Sequence, residues 1–78
     1  MDVLIYTKLY CPNCVAAKQL LKSKGIPYQE VDAEKGTTLE ALQALFPEIK
    51  QMPAIFVEGQ YVGGYAGLQA ALKATGVL

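Results

Sequence analysis

The first third of the chain constrains the fold most, because two short extended segments there flank one helical segment. Residues 3–7 are β-branched and apolar, which is typical of a buried strand. After Cys11 the apolar residues recur at helical spacing, and Gly25 marks the end of that helix. Residues 27–32 alternate between apolar and polar, as a second strand does. A strand, a helix and a strand within about thirty residues predict a βαβ unit with parallel strands.

A second amphipathic helix is predicted between Thr37 and Pro47. Thr37 and Glu40 have the spacing of a capping box, in which the glutamate reaches back to the N-cap residue. Proline cannot continue a helix, so Pro47 is expected to end it. The apolar residues between them form one stripe, which consists of Leu39, Leu42, Leu45 and Phe46.

The last third of the chain predicts a β-hairpin followed by a helix. Two apolar runs, residues 54–57 and 61–62, flank the loop Glu58-Gly59-Gln60, which glycine tightens. The pair Gly63-Gly64 then leads into a helix that Gly76 ends. The predicted order is β-α-β-α-β-β-α in a single α/β domain over residues 1–78. A parallel pair plus a hairpin gives one mixed four-stranded sheet, covered by three helices.

Composition argues against several classes of function. Seven lysines balance seven acidic residues, so no basic patch for a nucleic acid is expected. No apolar run is long enough to span a membrane, and residues 1–10 lack the apolar stretch of a signal peptide. We therefore expect a cytoplasmic protein. In that reducing compartment, paired cysteines are typically catalytic, redox-sensing or metal-binding.

Cys11 and Cys14 lie at the junction between the first strand and the first helix. A disulfide between them closes a very short loop and stabilises a fold little, so a chemical role is favoured. The unpaired N–H groups at a helix start carry partial positive charge. They are expected to lower the pKa of Cys11 and populate its thiolate, the nucleophile of disulfide exchange. Cys11 would attack a substrate disulfide, and Cys14 or an external thiol would resolve the mixed disulfide.

Three neighbouring residues are expected to adjust this chemistry. Lys8 adds positive charge if its ammonium approaches the sulfur. Pro12 stiffens the first helical turn and removes one N–H donor from it. Asn13 is expected to point outward and to shape the approach of the substrate.

Other roles for the cysteine pair stay open at this stage. A C-x-x-C pair is half of a zinc site, but the chain has no further cysteine and no histidine to complete one. Zinc or an iron–sulfur cluster shared between two chains would take its remaining ligands from the partner. The two cysteines could also simply fill the core. Their position in a predicted βαβ unit favours a redox motif over these alternatives.

Two further motifs each have a structural and a functional interpretation. Met52-Pro53 is either an ordinary loop before a strand or a cis-proline turn beside Cys11, whose backbone can pair with an extended substrate. Gly63-Gly64-Tyr65 is either a loop that needs positive φ or a place of close backbone approach, where the last helix captures a carboxylate.

Taken in order, these three motifs resemble those of the glutaredoxins. Ile5-Tyr6-Thr7-Lys8 before Cys11-Pro12-Asn13-Cys14 is similar to the family's first strand and active site. Met52-Pro53 lies where the family has its cis-proline, and Gly63-Gly64 matches the family's glycine pair. The resemblance covers essentially the whole chain. It implies a thioredoxin-like fold, no tightly bound cofactor, and glutathione as the co-substrate.

The resemblance also implies which residues contact glutathione. Lys8 would contact a carboxylate of the tripeptide. The backbone of Met52 would pair with the cysteinyl unit beside cis-Pro53. The γ-glutamyl end would be held by the turn formed by Gly64, Tyr65 and Ala66.

The chain departs from the family pattern at three places. It has Asn13 where the family usually has tyrosine, and Gln51 where the family usually has threonine. It has Ala66 and Gly67 where the family has acidic residues, one of which would pair with the amino group of glutathione. We therefore predict weaker or altered glutathione binding than in a typical member.

Three hypotheses about function follow. The first is a monomeric dithiol glutaredoxin that reduces protein disulfides or glutathione mixed disulfides, with ribonucleotide reductase as the client that the resemblance suggests. The second is a glutaredoxin-like redoxin reduced by thioredoxin reductase, which the missing acid after the glycine pair favours. The third is an iron–sulfur cluster-binding dimer without turnover, against which the stiff turn at Pro12 argues.

Overall fold

The computed structural model of the chain describes residues 1–77, and its helices and strands follow the predicted β-α-β-α-β-β-α order. The elements are β1 Val3–Thr7, α1 Pro12–Ser23, β2 Gln29–Asp32, α2 Thr38–Leu45, β3 Ala54–Val57, β4 Gln60–Gly63 and α3 Tyr65–Ala74. Within these 77 residues, no helix has the length and apolar character that crossing a membrane requires.

The strands form one mixed sheet in the order β2-β1-β3-β4, as predicted. β1 pairs in parallel with β2 and antiparallel with β3, and β3 continues antiparallel into β4. β1 is therefore central, and its residues alternate between buried and half-buried, as in a strand whose two faces meet different layers.

Two apolar clusters cover the two faces of the sheet. On one face, α1 and α3 pack against the strands through side chains with no exposed surface, including Ile5, Leu21, Ile55, Leu68 and Leu72. On the other face, α2 and the loop after it enclose Leu42, Ile49 and Phe56, and this second cluster also contains Cys11 and Cys14. The two cysteines are thus packed into the core at one end of the sheet.

The hairpin loop is one residue shorter than predicted. Gln60 belongs to β4 and pairs with Val57, so the loop contains only Glu58 and Gly59. Both loop residues have positive φ, 53° and 80°, which is the backbone of a type I′ turn. The twist of this turn matches that of the two strands, so the residues directly on either side of it, Val57 and Gln60, already pair.

Two expectations for α2 are wrong. Thr37 is the N-cap residue, but no side-chain hydrogen bond caps the helix, so the predicted capping box does not form. Leu45, expected in the apolar stripe, is 77% exposed. The chain leaves the helix at Phe46, whose ring packs 5.1 Å from that of Phe56, so Phe46 fills the space beneath the helix end and Leu45 faces solvent.

The start of α3 lies very close to β4. A Cβ atom added at Gly67 would overlap the backbone carbonyl of Val62. Only glycine allows this approach, because it has no side chain to separate the helix from the strand. Gly67 therefore fixes how α3 and the loop before it sit beside the sheet.

One buried polar side chain links β1, β2 and α1. The hydroxyl of Thr7 is buried and donates to Glu30 Oε2 at 2.8 Å, and Lys18 Nζ donates to the same oxygen at 2.9 Å. The hydrogen bond from Lys18 and then that from Thr7 hold the pKa of Glu30 below its ordinary value of 4.5. The ionised carboxylate is therefore favoured in the folded state.

We expect Glu30→Gln to lower the free energy of unfolding at neutral pH by at most about 1 kcal/mol, since the pair is partly exposed and screened. A carboxyl group with a depressed pKa stabilises the fold above its unfolded pKa, and this contribution is lost as the pH falls through the folded pKa. The difference between variant and parent should therefore shrink below pH 4.5. Urea unfolding at neutral pH and at about pH 3 measures this, and a constant difference would contradict the assignment.

Candidate active site

Cys11 and Cys14 are joined by a disulfide at the start of α1. Cys11 is the N-cap residue, with extended backbone at φ −117° and ψ 98°, and Pro12 occupies the first helical turn as predicted. The carbonyl of Cys11 accepts the N–H of Val15 at 3.2 Å, the first hydrogen bond of the helix. The reactive pair thus lies at the strand-to-helix junction that the sequence predicts.

The sulfur of Cys11 lies in the field of the helix start. The backbone N–H of Cys14 donates to Cys11 Sγ at 3.1 Å, as a side-chain cap would. In the dithiol state the same N–H stabilises negative charge on this sulfur, because the helix end carries partial positive charge. Cys11 is 7% exposed and Cys14 is 2% exposed, so both are buried and Cys11 is the more accessible of the two.

Met52 and Pro53 lie beside Cys11. The Met52-Pro53 peptide bond is cis, and the carbonyl oxygen of Met52 is 3.6 Å from Cys11 Sγ. The register of the sheet explains this proximity: Tyr6 pairs with Ala54 in antiparallel strands, so the chain leaving β1 and the chain entering β3 share one end of the sheet. The cis-proline turn beside Cys11 is therefore present, and its pairing with a substrate stays a prediction.

A groove of about 280 Å³ passes in front of this turn, and we call it the Met52 groove. It brings together five residues that the sequence analysis singled out: Asn13, Met52, Pro53, Gly64 and Tyr65. Its remaining lining was not predicted as part of the site and consists of Glu48, Lys50, Gln51 and Tyr61. The sequence analysis noted Gln51 only as a departure from the family pattern, and the one signal for Lys50 is that it lies just before Met52-Pro53.

Two predicted contact residues lie outside the Met52 groove. Lys8 lines a second groove, whose lining also includes Cys11, and Ala66 is exposed in the first turn of α3. The contacts with glutathione assigned to all these residues stay predictions.

Tyr61 and Glu48 set the electrostatics of the Met52 groove. Burial, and then the negative charge of Glu48, raise the pKa of Tyr61 above its ordinary value of 10.0. The phenol therefore stays protonated near neutral pH and can donate a hydrogen bond into the groove. With Lys50 on the same lining, the groove presents both signs of charge and suits a ligand that is itself zwitterionic.

The described part of the chain contains no group of three or more cysteine, aspartate or glutamate side chains placed to hold a metal ion. A cysteine pair capped by a helix start, beside a cis-proline turn on a four-stranded mixed sheet, defines a thiol–disulfide oxidoreductase of thioredoxin-like fold. The glutaredoxin family model matches residues 3–62. The chain belongs to the glutaredoxin family.

Individual relatives agree with this assignment. The chain is 38% identical over 72 residues to a glutaredoxin of Pseudomonas aeruginosa, and this match covers 92% of this chain and 86% of that protein. It is also 38% identical over 69 residues to glutaredoxin 3 of Escherichia coli strain K12, covering 88% and 83%. The solution structure of reduced Escherichia coli glutaredoxin superposes with a TM-score of 0.76 at 36% identity, covering 95% of each chain. A buckwheat glutaredoxin–glutathione complex shares the fold, with a TM-score of 0.80 at 20% identity over 96% of this chain and 71% of that one.

Proposed function

We propose that the protein is a dithiol glutaredoxin, which reduces protein disulfides or glutathione mixed disulfides and is reduced in turn by glutathione. The observation that carries this proposal is the Met52 groove, which presents both signs of charge and includes Met52, whose carbonyl oxygen is 3.6 Å from Cys11 Sγ. Glutathione is a small peptide with one ammonium and two carboxylates, so it matches such a groove. The buckwheat relative, whose structure is a glutathione complex, has the same fold.

The reaction proceeds by two exchanges at sulfur. The Cys11 thiolate attacks one sulfur of the substrate disulfide, forms a new S–S bond and releases the other sulfur as a thiolate. The Cys14 thiolate then attacks Cys11 Sγ, releases the second thiol and leaves the Cys11–Cys14 disulfide, which is the state of this structure. Two molecules of glutathione return the pair to dithiols and become glutathione disulfide.

The groove suggests how glutathione is held. Its cysteinyl unit pairs with the backbone of Met52, and its γ-glutamyl end meets the start of α3 at Gly64, Tyr65 and Ala66. Lys50 lines the groove and Lys8 does not, so we add Lys50 to Lys8 as a candidate partner for a carboxylate. Glu48 is the one acidic residue of this lining, while α3 has no acid in its first turn. Glutathione binding is therefore expected to be weaker than in glutaredoxins that have an acidic residue just after the glycine pair.

We expect Cys14→Ser to keep activity toward glutathione mixed disulfides within about threefold of the parent and to lose activity toward intramolecular protein disulfides. Cys11 still attacks in this variant, but only an external thiol can resolve the intermediate. Mass spectrometry of the variant during turnover should show one glutathione attached at Cys11. If Cys14→Ser were inactive toward both substrates, the roles of the two cysteines would be reversed.

A second candidate function is a redoxin of the same chemistry reduced by thioredoxin reductase, which the replacement of the acid by Ala66 and Gly67 favours. NADPH consumption coupled either to glutathione and its reductase or to thioredoxin reductase separates the two. Faster turnover with thioredoxin reductase would overturn the glutathione proposal. A coloured dimer after anaerobic purification would instead support an iron–sulfur cluster-binding protein.

We further propose that the protein acts as a monomer in the cytoplasm and that ribonucleotide reductase is one of its clients. The reducing conditions of the cytoplasm suit a cysteine pair that must return to dithiols after each cycle. Reduction of the client's disulfide by the purified protein, measured as deoxyribonucleotide formation with glutathione as the electron source, tests the client assignment.

A further inference from the structure

Exposed large apolar side chains are concentrated around Cys11, and none of them lines the Met52 groove. Residues 1–77 have five exposed large apolar side chains, and three of them are here: Leu9 at 72%, Tyr10 at 98% and Val15 at 49%. They line a groove of about 550 Å³ that reaches Cys11 itself. We call Leu9, Tyr10, Pro12 and Val15 the apolar rim.

The backbone holds the apolar rim in place. The N–H of Leu9 donates to Glu34 Oε1 at 3.1 Å, which ties the loop to the chain beyond β2. Tyr10 has φ 55°, in the left-handed region that bulky residues rarely adopt. This conformation directs an almost fully exposed ring to solvent immediately before the nucleophile. Strained backbone of this kind is concentrated at functional sites.

The two grooves near Cys11 differ in chemistry: Cys11 itself lines the one beside the rim, and Met52, whose carbonyl oxygen is 3.6 Å from Cys11 Sγ, lines the other. The Met52 groove contains Glu48 and Lys50, whereas the lining beside the rim offers two lysines and otherwise mostly apolar side chains. One of these lysines, Lys18, already pairs with Glu30 at 2.9 Å. Glutathione has no apolar group to place against Leu9 and Tyr10. The rim therefore suits the polypeptide that is joined to glutathione in a mixed disulfide.

We propose that the apolar rim binds a polypeptide segment of the client protein, one that carries an apolar side chain next to its disulfide cysteine. This inference rests on the proposed function and adds a substrate preference to it. The Cys11 thiolate attacks the glutathione sulfur of the mixed disulfide, and the Cys11–glutathione bond forms as the client–glutathione bond breaks. The client cysteine leaves as a thiolate on the rim side, and a second glutathione then releases glutathione disulfide from Cys11.

Two synthetic peptides test the proposal directly. Each contains one cysteine in a mixed disulfide with glutathione, flanked by leucines in one peptide and by serines in the other. The parent protein should show a kcat/KM about five- to tenfold higher for the leucine peptide, as expected when two exposed side chains are buried on binding. In the double variant Leu9→Ser, Tyr10→Asn this ratio should fall to about one, since asparagine tolerates the left-handed backbone but removes the ring.

Leu45→Ser is the matched control, because Leu45 is as exposed as Leu9 but lies on α2, away from Cys11. It should keep the leucine-to-serine ratio of the parent. Equal turnover of the two peptides by the parent would overturn the proposed surface and leave the proposed function intact. An unchanged ratio in the double variant, or its loss in Leu45→Ser, would also overturn the surface. If the parent turned over neither peptide with glutathione, the proposed function itself would fail.

Discussion

Replacing Cys11 with serine is expected to lower turnover of every disulfide substrate by on the order of a thousandfold or more. A serine hydroxyl stays protonated at neutral pH and cannot replace a thiolate as the nucleophile at sulfur. The fold should survive, because serine is among the preferred N-cap residues and can accept the same Cys14 N–H that Cys11 Sγ accepts at 3.1 Å. Initial rates with a glutathione mixed disulfide measure the effect.

The matched control for this variant is Cys14→Ser, which removes the other half of the same disulfide. Circular dichroism of both variants should match that of the reduced parent. Residual turnover by Cys11→Ser within tenfold of the parent would show that Cys11 is not the attacking residue. The comparison of the two serine variants therefore separates loss of the nucleophile from loss of the disulfide.

Gly67→Ala is expected to destabilise the protein, although alanine is the better helix former. Helix propensity alone predicts a gain of about 1 kcal/mol for this change inside α3. The added Cβ would overlap the carbonyl of Val62, and backbone atoms on both sides leave no flexible side chain to move away. We expect a net loss of about 2–3 kcal/mol, which lowers Tm by roughly 10–20 °C in a domain of this size.

Ala70→Gly is the matched control for Gly67→Ala. Ala70 is exposed on the same helix, so its replacement should cost only the helix propensity of about 1 kcal/mol. Thermal unfolding followed by circular dichroism ranks the three proteins. If Gly67→Ala were as stable as the parent or more so, the close approach of α3 to β4 would be wrong.

The features that the sequence predicts well are those set by neighbouring residues. Pro12 and Cys11 define a helix start, and the apolar run before them defines the strand, so the reactive junction follows from local rules. Gly59 likewise predicts a turn, although only the structure shows that Glu58 shares its positive φ. Local patterns of this kind also give the order of elements and hence the sheet.

The features that the sequence misses depend on packing between distant segments. Leu45 has helical spacing with Leu42, but it faces solvent because Phe46 leaves the helix and packs on Phe56. The Met52 groove takes its lining from the start of α1, the loop before β3, β4 and the start of α3, so no single sequence pattern predicts that Tyr61 belongs to it. Nothing in the sequence signals the left-handed backbone of Tyr10, since tyrosine has no preference for it.

The central place of β1 has a consequence for how the protein is made. Its antiparallel neighbour comes much later in the sequence, since Val3 pairs with Val57. A nascent chain therefore emerges from the ribosome with its N-terminal strand still lacking that partner until β3 has followed it out. Because contacts so distant along the chain slow folding, we expect this protein to acquire its fold in one step, only after β3 has been synthesised.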